Sequence, residues 1–205
     1  WSLGSEMCIR DSVYRIGLGI DWSLAAPVTA FQKALEYHAD VVNNSWGNGY
    51  AFTYNVNDET QFDFFNALNA LAVQGRGGKG SIVLFANGND GAQLFDANLN
   101  NAVNGRHVIA VGAVDDTGVR SAYSTPGANL LISAPGGAST EQSQTLPGNG
   151  VLTTDRTASD GYNTLAGLAG NYAYNFNGTS AATPIVSGVV ALVLQANPNL
   201  GYRDV

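Results

Sequence analysis

The segment Asn177-Gly178-Thr179-Ser180-Ala181-Ala182-Thr183-Pro184 places a serine where a glycine-bearing turn enters a long apolar run. A hydroxyl nucleophile suits that place. Gly178 would let a substrate come close, and a helix N-terminus favours the negative charge that develops during attack. Taken alone, Ser180 reads first as the N-cap of the helix, because a cap needs a side-chain oxygen at the same point. Nucleophilic chemistry also needs a general base, and the chain has two histidines, His38 and His107. Its single cysteine excludes a disulfide framework and a thiolate zinc site.

The elements that must position Ser180 follow from the apolar periodicity. Residues 180–196 are apolar nearly all round, which predicts a largely buried helix closed by Asn197-Pro198. Upstream, Val28, Phe31, Ala34 and Leu35 recur at helical spacing within 26–39, with Pro27 tolerated in the first turn. A β-branched run follows at 40–45, ending in Ser45-Trp46-Gly47. Residues 62–75 predict a second helix with Gly75 near its C-cap. Ile82–Ala86 forms a continuous apolar run, as expected of a strand buried on both faces of a parallel sheet. Further runs occupy 107–114 and 129–137, and the Gly-, Asn-, Ser- and Thr-rich stretch 138–175 holds one strand candidate at 150–155. Helices alternating with apolar runs predict an α/β domain whose strands near 40–45, 81–86 and 107–114 lie parallel.

Several ordered stretches carry a family resemblance. Gly178-Thr179-Ser180-Ala181-Ala182-Thr183-Pro184 resembles the serine motif of the subtilisin-like peptidases. Residues 67–91 resemble the helix, turn and strand that end in the Gly-Asn of the kexin branch, and residues 108–124 resemble the strand and turn that follow. The resemblance implies a three-layer subtilisin-like α/β fold with a mainly parallel sheet and a buried central helix starting at the nucleophile. It implies Ser180 as nucleophile and Asn89 as the oxyanion-hole amide, although Asn89 alone would read as a turn-former in Asn87-Gly88-Asn89-Asp90-Gly91. It implies that Ser45, Trp46 and Gly47 form the strand that pairs with an extended peptide, faced across the first specificity pocket by Ala86, Asn87 and Gly88. The implied activity is serine endopeptidase cleavage of peptide or protein substrates, with no cofactor required for chemistry. Structural calcium is common in that family, and Asp90 and Asp96 lie in a loop that could take it, although solvated loop carboxylates are the better reading of both. A secreted, periplasmic or cell-surface location is implied as well.

The departures are specific. The family draws its Asp and His from motifs early in the domain, and neither His38 nor His107 matches them. Asp116-Thr117-Gly118 mimics the acidic triplet but follows the strand 107–114, where the family has an ordinary turn. The catalytic Asp and His are therefore expected upstream of residue 13, and the chain as written is expected to be inactive. Residues 1–12 lack periodicity and resemble translated adapter sequence, so they are set apart from a truncated catalytic domain at 13–205. Thr125 and Asn48-Gly49-Tyr50 replace acidic residues of the kexins, which argues against basic-residue specificity.

Two other functions compete. Gly178-Thr179-Ser180-Ala181-Ala182 loosely fits the nucleophile elbow of an α/β-hydrolase esterase, but that fold places its His after the Ser, and none follows. A peptide-binding pseudopeptidase would keep the cleft without the base. Composition narrows the field further. Of 205 residues, 45% are hydrophobic and 12% charged, so a folded core is expected. A net charge of −7 argues against nucleic-acid binding. The run 181–196 is interrupted by Thr183, Pro184, Ser187, Gly188 and Gln195, which argues against a membrane span.

Overall fold

The computed structural model describes residues 13–14, 24–47, 51–53, 57–59, 61–138, 150–157, 160–165 and 170–205. Residues 1–12 and 48–50, singled out above, lie outside them. The described chain is an α/β domain with a four-stranded parallel sheet in the order β1-β2-β3-β4, built from Val41–Asn44, Ile82–Ala86, Val108–Val114 and Leu130–Pro135. Its register pairs Val41 with Ile82, Asn44 with Phe85 and Ala86 with Val111. The three parallel strands expected from the sequence are all present.

Strand alternation explains the layers. In β2 every residue is buried, and successive side chains point to opposite faces. Val83 and Phe85 join Phe31 and Ala34 of α1 (Ala25–Glu36) and Phe64, Leu68 and Leu71 of α2 (Phe62–Gly78) in one core. Ile82 and Leu84 face the other way, onto Ala182, Val186, Val190 and Leu194 of α3 (Thr179–Ala196). Each such side chain is worth about 1.5–3 kcal/mol when fully buried.

Helical geometry in α2 stops at Gly75, whose ψ is 155°, as its cap position predicts. A Cβ there would lie 2.2 Å from Ser81 Oγ, so only glycine lets the chain turn directly into β2.

Helix α3 is buried along one stripe rather than all round. Thr179, Ala181, Ala182, Thr183, Val186, Val190 and Leu194 are buried, whereas Val189 is 51% and Leu192 54% exposed. The helix lies across one face of the sheet, so only the side turned to the strands is covered. Its 18 residues are long and apolar enough for a membrane span. Packing against all four strands instead identifies it as the fold's own core helix.

A small antiparallel sheet pairs β5 (Val151–Thr154) with β6 (Tyr172–Phe176) and delivers the chain to Gly178. Only β5 was expected from the sequence. Strand β6 carries a Tyr-Ala-Tyr-Asn-Phe pattern with Ala173 and Asn175 buried, a period-2 signal hidden in a polar, turn-rich neighbourhood. Because β1, β2 and β3 are parallel, the segments that leave β1 and β2 emerge at one edge, where open α/β sheets bind ligands. Helix α3 starts at that edge beside Ser45 and ends at the opposite edge, where Lys79 Nζ donates to the Pro198 carbonyl.

Candidate active site

Gly178 is the N-cap residue of α3, with φ 100° and ψ 166°. Positive φ is reached readily only by glycine. Ser180 thus sits in the first turn and does not cap the helix, which removes the N-cap reading. Its hydroxyl donates to the Ser45 carbonyl at 3.3 Å, and Ser45 Oγ donates back to the Ser180 carbonyl at 3.1 Å. This reciprocal pair joins the segment leaving β1 to the first turn of α3.

Asn89 leaves β2 at the same edge. Its Oδ1 accepts from Thr179 N and from Thr179 Oγ1, each at 2.9 Å. The backbone donor fixes which end of the amide is oxygen, because only Oδ1 can accept from an N–H. Nδ2 is consequently the end left to donate, and it lies 3.2 Å from where a Cβ on Gly178 would stand. Thr179 Oγ1 also accepts from Gly88 N at 3.2 Å, so one hydroxyl ties both residues of the β2 exit to the serine turn. Asn89, exposed at the surface, and Ser180 are therefore brought together. An amide donor beside a helix N-terminus can receive the negative charge of an acyl-transfer intermediate. Sequence reasoning gave Thr179 no role. Its place between Gly178 and Ser180 was the available signal.

The remaining residues named from the sequence divide by which part of them faces the cleft. Ala86 and Asn87 are buried at the end of β2. Asn87 N donates to the Val111 carbonyl at 2.9 Å, and its Nδ2 is held by the Thr125 carbonyl. Thr125 is itself buried, with Oγ1 accepting from Asp90 N at 3.0 Å, so it braces this wall from behind. Gly88 has φ 107°, and a Cβ there would stand 2.9 Å from Thr125 Oγ1. Gly47 is exposed, with open space where a Cβ would point.

Trp46 turns its ring away from the cleft into the α1–α2 core, with centroids 5.3 Å from Phe85 and 6.3 Å from Phe64. Its ring is therefore part of that core and not of the wall at this edge.

Neither histidine is near. His38 follows α1, with φ 56°, and precedes β1, while Ser45 follows β1. The four residues of that strand separate them by on the order of 13 Å. His107 opens β3 at the same far edge and rests 5.5 Å, ring to ring, from Tyr202. Its imidazole is held below the ordinary value, by burial first and then by Arg106 and Arg203. Asp116-Thr117-Gly118 lies in the tight turn after β3, where the Asp115 carboxylate accepts from Thr117 N, Thr117 Oγ1 and Val119 N. The Thr117 hydroxyl is the main reason the Asp115 carboxyl is held below its usual range.

Asp96 Oδ1 accepts from Asn98 N and Nδ2, so that oxygen serves as a local cap. Among the described residues no three His, Cys, Asp or Glu side chains gather as a cation cage, and Asp90 and Asp96 do not form one by themselves.

Comparison with known proteins identifies the family of this fold. The model of the subtilase family, peptidase S8, matches residues 13–205. A calcium-dependent protease of Trichormus variabilis is 36% identical over 86% of this chain and 27% of its own length. A kexin of Candida albicans is 29% identical over 98% of this chain and 20% of its own. The serine protease of Aeromonas sobria, solved with its chaperone, superposes with a TM-score of 0.67 at 27% identity, covering 80% of this chain and 32% of that one. The chain thus spans about a quarter of the length of these curated relatives.

Proposed function

Because the chain belongs to the subtilase family, we propose that it is the nucleophile-bearing part of a serine endopeptidase domain. Ser180 Oγ attacks the carbonyl of a peptide, and the Asn89 amide, with the N-terminal amides of α3, receives the negative charge on the carbonyl oxygen. The proton of Ser180 passes to the upstream His and from it to the amine, which leaves as the C–N bond breaks. Water then hydrolyses the acyl-enzyme on Ser180 to release the carboxylic acid and restore the serine. An extended peptide pairs with the backbone of Ser45, Trp46 and Gly47, and its first side chain enters between that segment and Ala86, Asn87 and Gly88. The observation that carries this reading is the commitment of Asn89 Oδ1 to Thr179, which leaves its amide to donate beside Ser180.

The base is the other half of the mechanism. Both described histidines sit at the far edge of the sheet, so we place the catalytic Asp and His upstream of residue 13. Residues 1–12 stand apart from the domain in this reading, in line with a family match that starts at residue 13. On this basis the 205-residue chain alone shows only the residual rate that binding and an oxyanion hole supply, about 10³–10⁴ over water. The intact protein acts outside the cytoplasm, at the cell surface, in a periplasm or secreted. Calcium would have a structural role, as the name of the Trichormus variabilis relative invites, with ligands beyond Asp90 and Asp96.

Sequencing the gene upstream of residue 13 tests the proposal most cheaply. Asp-Thr-Gly and His-Gly-Thr motifs there support a peptidase. Their absence favours the alternative, a peptide-binding pseudopeptidase, which the distance of His38 and His107 from Ser180 also suits. The complementary assay is amide hydrolysis by the protein carrying its upstream region, where Ser180→Ala should abolish turnover.

A further inference from the structure

We propose that Tyr123 is a positioning residue of this site, whose hydroxyl fixes the Gly178–Thr179 backbone and, through it, the Asn89 amide. The inference rests on the reading that Asn89 and Ser180 act together. Tyr123 is 7% exposed and packs in the core between the sheet and α3, with Leu84, Val111 and Ala182. Phenylalanine would fill that volume without the cost of burying a hydroxyl, so the oxygen has to be accounted for.

The hydroxyl reaches the nucleophile turn. It donates toward the carbonyls of Gly136 and, at 2.9 Å, Gly137, the two residues that follow β4. It accepts from Gly178 N at 3.0 Å, an N–H shared with the Gly136 carbonyl at 2.9 Å. The space is tight: a Cβ on Gly136 would stand 2.6 Å from Ala113 Cβ and 2.8 Å from the Gly178 carbonyl.

Consequence follows from chain order. Gly178 has φ 100°, and a glycine has the widest choice of backbone conformations, so its orientation must be imposed from outside. The N–H of Gly178 points at Tyr123, and the next one along the chain, that of Thr179, points at Asn89 Oδ1. Tyr123 holds the peptide plane before Gly178 and Asn89 the plane after it, so the two anchors together fix the conformation that glycine alone would leave open. The Asn89 amide then keeps Nδ2 toward the cleft, and Ser180 follows directly.

The test is Tyr123→Phe in the 205-residue chain, read by amide hydrogen exchange and by the side-chain NMR signals of Asn89. The Gly178 and Thr179 amides should lose protection by on the order of threefold to tenfold beyond any change at Val83 to Phe85 in β2, the factor that one hydrogen bond is worth. The Asn89 Nδ2 proton signals should shift. A merely structural hydroxyl would lower protection uniformly and leave Asn89 unchanged, which would overturn the proposal. If the variant does not fold, the wild type decides: the Tyr123 hydroxyl proton should exchange slowly and show an NOE to Gly178 N–H, and its absence would overturn the proposal equally. None of these readouts uses turnover, so a peptidase assay that failed would sink the preceding reading and leave this result standing.

Discussion

At the scale of single residues, the site is a set of orientations rather than a set of residue types. Asn89 as a type could turn a loop. With Oδ1 committed twice to Thr179 it becomes a donor of known direction. Replacing Asn89 by Leu in the protein with its upstream region should lower kcat by about 10²–10³ with little change in KM. Thr179→Val should lower it less, and Thr179→Ser should recover most of the loss, because serine restores the hydroxyl that bridges Gly88 and Asn89. Gly178→Ala should destabilise the chain by about 1–3 kcal/mol, because φ 100° with ψ 166° is a region open essentially to glycine alone, measurable by urea denaturation. It should also disturb Asn89, whose Nδ2 would stand 3.2 Å from the new methyl. The roles proposed for Ser180 and Asn89 can be read in the sequence only through distant motifs taken together. The roles of Thr179 and Tyr123 were not, because hydrogen bonds across 90 and 55 positions leave no periodic trace.

At the scale of elements, burial on two faces made the sheet legible. A run such as Ile82-Val83-Leu84-Phe85-Ala86 admits few other readings, and β1 and β3 follow the same logic more weakly. Helix α3 was harder. Its sequence is apolar all round, yet Val189 and Leu192 face outward while Val190 and Leu194 face the sheet. Composition cannot say which apolar face a fold covers. The two faces should respond differently to substitution. Leu84→Ala, in β2 beneath α3, should cost about 2–5 kcal/mol, whereas Val189→Ala should fall within about 0.5 kcal/mol, both by chemical denaturation. Equal losses at the two positions would mean that the outer face of α3 is covered.

At the scale of the whole molecule, the parallel sheet gathers the proposed site at one edge and tethering contacts at the other. Ser45, Asn89 and Ser180 gather where β1 and β2 end. At the opposite edge Arg76 NH1 donates to the Leu200 carbonyl at 2.8 Å, and Tyr202 packs on His107. That edge should be sensitive to acid. The His107 imidazole is held below its ordinary value of 6.5 by burial and by Arg106 and Arg203, so the folded chain prefers it neutral. Its contribution to stability is present above pH 6.5 and is lost as pH falls through 6.5 toward the lower folded value. Thermal midpoints should therefore fall between pH 7 and pH 5, and His107→Phe should flatten that part of the profile. A slope unchanged in the variant would place the sensitivity elsewhere.

The pairing of Ser180 with Asn89 is tested most directly by a crystal structure of the protein carrying its upstream region with a peptidyl boronic acid, whose tetrahedral boron stands for the carbon under attack. The expected result is boron bonded to Ser180 Oγ, with one of its oxygens about 3 Å from Asn89 Nδ2 and the peptide extended along Ser45, Trp46 and Gly47. Boron on another residue, or bonded to Ser180 with every oxygen turned away from Asn89, would contradict it.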